Sequence, residues 1–205
     1  MKKYETLCFK NEPDWNAVPE GKVDCFQWEN EPAYRPNTSF KMCFVKNKGI
    51  YLKMATDEKN IRCVCTERDS SVWEDSCMEF FFMPFSSGAY FNIEMNPNSA
   101  FLAQFGPGRD NRVFTKQLTA ISPEVKSRIT DDGWTAECFV PCEFGEEVFK
   151  SKFEADVGEY KGCFFKCADK SERPHFGSFV PMGDLTLGFH NPKKFASITV
   201  RMLEE

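Results

Sequence analysis

The chain reads as all-β: a single-domain β-sandwich of two mostly antiparallel sheets, about ten strands with one short helix, spanning residues 1–205. Three observations carry that reading. There are 22 phenylalanines against seven leucines, and aromatic side chains favour strands where leucine favours helices. Short runs of alternating apolar and polar residues recur, bounded by turn residues. Twelve glycines and twelve prolines are scattered between these runs, and one stretch alone carries a helical pattern.

The elements follow in order. Residues 38–46 put Phe40, Met42 and Phe44 on one face, and Asn47-Lys48-Gly49 turns the chain into a hairpin with residues 50–56. Residues 61–66 set Ile61, Cys63 and Cys65 against Arg62, Val64 and Thr66. Residues 76–83 set Glu79, Phe81 and Met83 against Met78, Phe80 and Phe82. After Ser86-Ser87-Gly88, residues 89–96 separate Phe91, Ile93 and Met95 from Asn92, Glu94 and Asn96. Residues 101–105 form the next strand, broken by Gly106-Pro107-Gly108-Arg109-Asp110. Residues 125–130 and 134–140 flank Asp131-Asp132-Gly133 as a hairpin. Residues 144–153 are the helix, and residues 161–167 and 197–203 complete the strands. Between them, residues 168–195 lack a pattern, and an irregular stretch this long inside a domain is usually functional.

Composition narrows the function. A net charge of −5 disfavours nucleic acid and anionic membrane partners, which need clustered Lys and Arg. No run approaches the ~20 apolar residues of a membrane span. The N-terminus starts basic but has no apolar stretch behind it. The spacing of the ten cysteines does not support a disulfide framework, and most read as small buried hydrophobes in a reducing compartment, with one or two disulfides as the alternative. Both features favour a cytoplasmic location, although a secreted chain with its signal segment removed would look the same.

The chemistry concentrates at residues 69–84. A polar turn carrying Trp73 feeds a strand holding one carboxylate, Glu79. A charge in such a run must be paired or face water. An aromatic plate beside a carboxylate suits a sugar, whose C–H face needs a flat apolar surface and whose hydroxyls need acceptors. The structural alternative is a core tryptophan with a glutamate paired to an arginine. Motifs for a nucleophile, a P-loop or a dinucleotide loop are missing from the sequence. Glu79 and Glu94 could form the acid pair of a glycoside hydrolase if their strands are neighbours. The same pair could bind hydroxyls, or pair with Arg62 or Arg109. A Cys167–His175 pair and haem ligation by Met95 and His190 remain formal options. With two histidines, a zinc site has little to draw on. Asp131-Asp132 and Asp57-Glu58 leave bound calcium possible but unassigned, and no cofactor is expected.

Four segments, in order, are similar to a known family. They are Val72-Trp73-Glu74-Asp75-Ser76-Cys77-Met78-Glu79-Phe80-Phe81, Tyr90-Phe91-Asn92-Ile93-Glu94-Met95-Asn96-Pro97, Gly133-Trp134-Thr135-Ala136-Glu137-Cys138-Phe139-Val140-Pro141 and Phe189-His190-Asn191-Pro192-Lys193-Lys194-Phe195-Ala196-Ser197-Ile198. Together they resemble the carbohydrate-binding family 9-like domains, known from xylanase-associated modules within the wider DOMON-like sandwich group. The resemblance implies non-catalytic binding of glucose- or xylose-type sugars or short β-glycans. Two aromatic rings would sandwich a terminal sugar, with polar residues on its hydroxyls. Trp73 matches the first ring, Glu79 the acidic acceptor, and Asn92, Glu94 and Asn96 lie on the strand that supplies further contacts. Arg109 and His175 are candidate donors. The second ring would come from the late loop, as Phe176 or Phe179, where similar sequences tend to carry a tryptophan near Phe179. Trp15 and Trp28 are expected to pack the N-terminal segment, Trp134 to join the core, and His190 to hold loop structure. The expected partner is a mono- or oligosaccharide. A protein-interaction sandwich is the third reading, and the oligomeric state stays open.

Overall fold

The computed structural model describes residues 2–28 and 34–203. Thirteen strands and one α-helix appear in the order β1 (Lys3–Phe9), β2 (Gly21–Val23), β3 (Thr38–Val45), β4 (Gly49–Thr56), β5 (Cys77–Met83), β6 (Tyr90–Met95), β7 (Phe101–Gly106), β8 (Val113–Phe114), β9 (Glu124–Thr130), β10 (Gly133–Pro141), α1 (Cys142–Phe149), β11 (Gly158–Cys167), β12 (Phe176–Ser178) and β13 (Ala196–Met202). The all-β class with one short helix is thus present. In place of two separable sheets, eleven strands form one hydrogen-bonded path, β8-β7-β6-β5-β11-β13-β1-β3-β4-β10-β9, with β12 beside β11 and β2 beside β3. The path curls over, so that Phe40 of β3 stacks on Phe164 of β11 at 3.6 Å, and Phe164 on Phe80 of β5 at 5.3 Å.

Local chemistry explains the hairpins. Asn47 adopts a left-handed φ of 58° between β3 and β4, which asparagine tolerates. The β9–β10 loop has two residues, Asp131 and Asp132, and ends at Gly133, where a Cβ would meet the Thr56 carbonyl oxygen at 2.0 Å. The helix starts two residues before the expected stretch and stops early. Lys150 turns left-handed there, and its N–H donates to the Glu146 carbonyl.

Two expectations are corrected. Residues 61–66 alternate but pair with no strand among the described residues. Their backbone groups bond mostly to side chains: Arg62 N–H donates to Ser76 Oγ, and Val64 and Cys65 N–H donate to Asp75 Oδ2. The first strand, β1, was not expected. Tyr4, Thr6 and Cys8 face inward there, and the polar Thr6 obscures the pattern by donating its hydroxyl to the Met42 carbonyl.

β5 and β6 are buried along their whole length, on both faces. Met78, Phe80, Phe82, Phe91, Ile93 and Met95 enter the main core. The opposite face carries Cys77, Glu79, Phe81, Asn92, Glu94 and Asn96 beneath loops. That second face positions the candidate site.

Candidate functional site

The floor of the site is a three-strand patch. Register sets Glu79 of β5 opposite Glu94 of β6, and Phe81 opposite Asn92. On the other side of β5, Cys77 faces Cys167 and Glu79 faces Phe165 of β11. Directly opposed residues on one face lie about 5 Å apart at Cβ, so the two carboxyls emerge side by side.

The walls are loops pinned by aspartates. Asp69, at a left-handed φ of 62°, donates its N–H to the Phe101 carbonyl, accepts from Ala103 N–H, and pairs with Lys116 at 2.9 Å. Asp75 accepts from Val64, Cys65 and Asn96 Nδ2. Between these anchors a 3-10 turn, Val72–Glu74, buries Val72 and leaves Trp73 36% exposed. The Trp73 carbonyl accepts from Asp169 N–H at 3.2 Å, tying the turn to the late loop.

Opposite stands the arginine loop. Arg112 donates to the carbonyls of Gly106, Gly108 and Gln104 and to Asn92 Oδ1, and its guanidinium lies 4.5 Å from the Tyr90 ring centre. Asn92 Nδ2 donates to Glu94 Oε1 at 2.7 Å, completing a chain from arginine to carboxylate. Arg109 donates to the Thr186 carbonyl. Phe189 stacks on Phe165 at 4.2 Å and meets Trp28 edge-on at 5.0 Å. Together these groups enclose a cavity of about 510 Å³, lined by aromatic rings above and by Glu79, Glu94, Gln104, both arginines, Cys167 and Asp169 below. A hollow of about 540 Å³ near Pro84 and Pro192 lacks such converging buried polar groups.

Burial sets the charge state of the floor. It drives Glu79 well above the usual carboxyl range, reinforced by Glu94 and by Cys167, whose thiol lies 3.1 Å from Oε1. Burial also raises Glu94, to about 7, against the hydrogen bond from Asn92 and the charge of Arg112. Burial and then Glu74 raise Asp169 to about 6. At neutral pH the Glu79–Glu94 pair therefore holds a proton, so the floor can both donate and accept.

The structure brings Trp73, Glu79, Glu94, Arg109 and Phe176 to the cavity. Asn92 stands behind it and orients Glu94 and Arg112. Three expected residues fall elsewhere. Asn96 donates to the Cys65 carbonyl and Asp75, holding the 61–66 segment. His175 is buried beside Glu58 and meets the Tyr34 ring edge-on at 5.1 Å. Phe179 is 2% exposed and packs on Phe40, Tyr4 and Phe164 in the core, because it lies an odd number of residues from cavity-lining Phe176 along an extended segment and so faces the other way. Trp134 is in the core, as expected.

Sequence reasoning missed Arg112, Trp28, Phe189, Gln104, Asp169 and the dual place of His190. His190 lines the cavity and also approaches the Tyr90 hydroxyl at 2.8 Å. The signal for Arg112 was its position just after the Gly-Pro-Gly loop with Arg109. Trp28 gave no local signal, since its contact with Phe189 spans the chain, and Phe189 carried one only as the first residue of the fourth family-like segment. Asp57 accepts from Asn37 and Glu58 points inward, so that acidic pair is already engaged by the protein.

Comparison with known proteins agrees with this architecture. A protein from Bacteroides uniformis, provisionally described as carbohydrate-binding, superposes with a TM-score of 0.82 at 24% identity, covering 98% of this chain and 99% of that one. A family 9 carbohydrate-binding module from Caldicellulosiruptor kristjanssonii, solved with cellotriose, gives a TM-score of 0.67 at 13% identity over 100% of this chain and 96% of the module. A structure of a family 9 module from the same organism with glucose gives 0.69 at 13% identity over 100% and 98%. At these identities the likeness is one of fold. A comparison with curated proteins gives no significant match. The sequence pattern of carbohydrate-binding family 9 matches residues 11–200, nearly the whole chain. The chain belongs to carbohydrate-binding family 9.

Proposed function

We propose that the cavity binds a glucose- or xylose-type sugar, or the end of a short β-glycan, without cleaving it. The observation that carries this reading is the exposed Trp73 lining the same cavity as the buried Glu79–Glu94 pair. The indole would cover the C–H face of a pyranose, with Phe176, one of the two rings expected from sequence, or Trp28 on the other side. Glu79, Glu94, Arg109 and Arg112 would take the hydroxyls. Family membership supports sugar binding, and so do the complexes of the Caldicellulosiruptor modules with cellotriose and glucose. Hydrolysis is less well supported. Its two carboxyls must flank the scissile bond, whereas these two rise side by side from one floor.

Stacking plus a few hydrogen bonds gives affinities of roughly −5 to −8 kcal/mol. Tryptophan fluorescence, titrated with glucose, xylose, cellobiose, xylobiose and the matching alditols, tests the reading. A saturable change with a disaccharide, lost in Trp73→Ala with the fold intact, supports it, and failure of the alditol marks reducing-end recognition. No response to any sugar at millimolar concentration refutes it.

A further inference from the structure

Cys77, Glu79 and Cys167 make a cluster that sugar binding does not require. The two cysteines are cross-strand partners on β5 and β11, and Glu79 lies two residues along the same face as Cys77. Their ligating atoms all lie within 4.8 Å of one another, and Cys167 Sγ is 3.1 Å from Glu79 Oε1. Among the described residues, no other three His, Cys, Asp or Glu side chains are grouped this closely.

The spacing suits a particular ion class. Two Zn–S bonds of about 2.3 Å at a tetrahedral angle hold the sulfurs about 3.8 Å apart, inside the observed limit. Two thiolates select a soft or borderline cation, whereas calcium and magnesium demand oxygen ligands. Rigid strands supply all three groups, so little reorganisation is needed. Cys167 and Glu79 also line the cavity, which gives an ion an entry path and leaves a coordination position open to water.

We propose that Cys77, Cys167 and Glu79 bind one thiophilic divalent cation, of the zinc–cadmium class, in the floor of the cavity. Both thiols lose their protons to solvent as the two metal–sulfur bonds form. Glu79 loses any proton it carries as its oxygen becomes the third ligand. The site does not depend on the sugar reading, because the ion needs no sugar. An ion held there would take Glu79 from the hydroxyl contacts and so weaken sugar binding.

Cadmium titration of the reduced, sugar-free protein, followed by thiolate-to-cadmium charge transfer in the ultraviolet, tests the proposal. The expected result is one tight equivalent that persists in the Cys63→Ser/Cys65→Ser variant. It should be lost in Cys77→Ser and in Cys167→Ser, and be at least about tenfold weaker in Glu79→Gln. No saturating band in the wild type, or a full band in both cysteine variants, overturns the proposal. Should those variants fail to fold, anomalous diffraction from wild-type crystals soaked in cadmium decides. A peak between the two sulfurs supports the site, and peaks only elsewhere overturn it. Loss of sugar binding with an intact cadmium site would count against the sugar reading alone.

Discussion

Two buried carboxyl sites sit on opposite faces of the β5–β11 region, and they differ in what answers the charge. Glu58 is 1% exposed, Glu79 3% and Glu94 6%, so burial does not separate them. Glu58 pairs with Lys166 Nζ at 2.9 Å and accepts from Trp134 Nε1 and Ser76 Oγ. Burial alone would push it up, but the Lys166 ammonium and the hydrogen bonds from Lys166 and Trp134 bring it below the usual carboxyl range. Glu79 and Glu94 face each other, and burial with mutual repulsion pushes Glu79 up. A fully answered charge is structural. A carboxyl pair at a cavity wall that meets only the neutral donors Asn92 and Cys167 is still available for a ligand.

The largest expected effect lies on the structural side. Lys166→Met strands Glu58 as an uncompensated buried charge and should lower unfolding free energy by about 3–5 kcal/mol in urea titrations. A loss under about 1 kcal/mol would dissolve the distinction between the two sites.

Phe179→Ala sharpens it at similar size. Truncating this core ring should cost about 3–5 kcal/mol, with the sugar affinity of the folded protein unchanged. Phe176→Ala should do the reverse, weakening binding while shifting stability far less.

A third test uses pH. Burial and then the Lys166 charge hold His175 down to about 4, below its ordinary 6.5. Its neutral form therefore contributes stability that is complete above pH 6.5 and is lost as pH falls toward 4. Between about pH 7 and pH 5 the His175 share is about 2 kcal/mol. His175→Gln should remove that share from the pH slope of the urea midpoint, and an unchanged slope would show that His175 already carries a proton.

The smallest effect belongs to the cavity. Glu94→Ala should weaken sugar binding at least about tenfold, about 1.4 kcal/mol by calorimetry. Glu79→Gln should raise rather than lower the unfolding midpoint, since a neutral amide escapes the burial cost that holds the Glu79 carboxyl above its ordinary range.

The sequence disclosed the strands of the site because their alternation is local. Glu79, Asn92 and Glu94 share one face in the structure as the period of two requires. It could not disclose which ring opposes Trp73. Trp28, Phe176 and Phe189 come together through the fold of residues 168–195, where no periodicity exists. Asn96 shows the other limit. It lies on the expected face, but the side chain is spent on Asp75 and the Cys65 carbonyl. Residues 61–66 show a third, for alternation alone does not guarantee a strand neighbour.

The pairing of β1 with β13 has a consequence for how the molecule is made. Lys3 lies beside Ser197 in a parallel ladder, with β11 on one side and β3 on the other, at the centre of the sheet path. Bringing residues 3–8 and 197–202 together is slow, because loop closure must precede the reward of contact. On the ribosome, β3–β4 and β5–β6 can form as they emerge, but the ladder that joins β11 to β1 through β13 cannot close until residues 196–202 are free. A nascent chain halted before β13 would expose the edges of β1 and β11 to chaperones or to other chains.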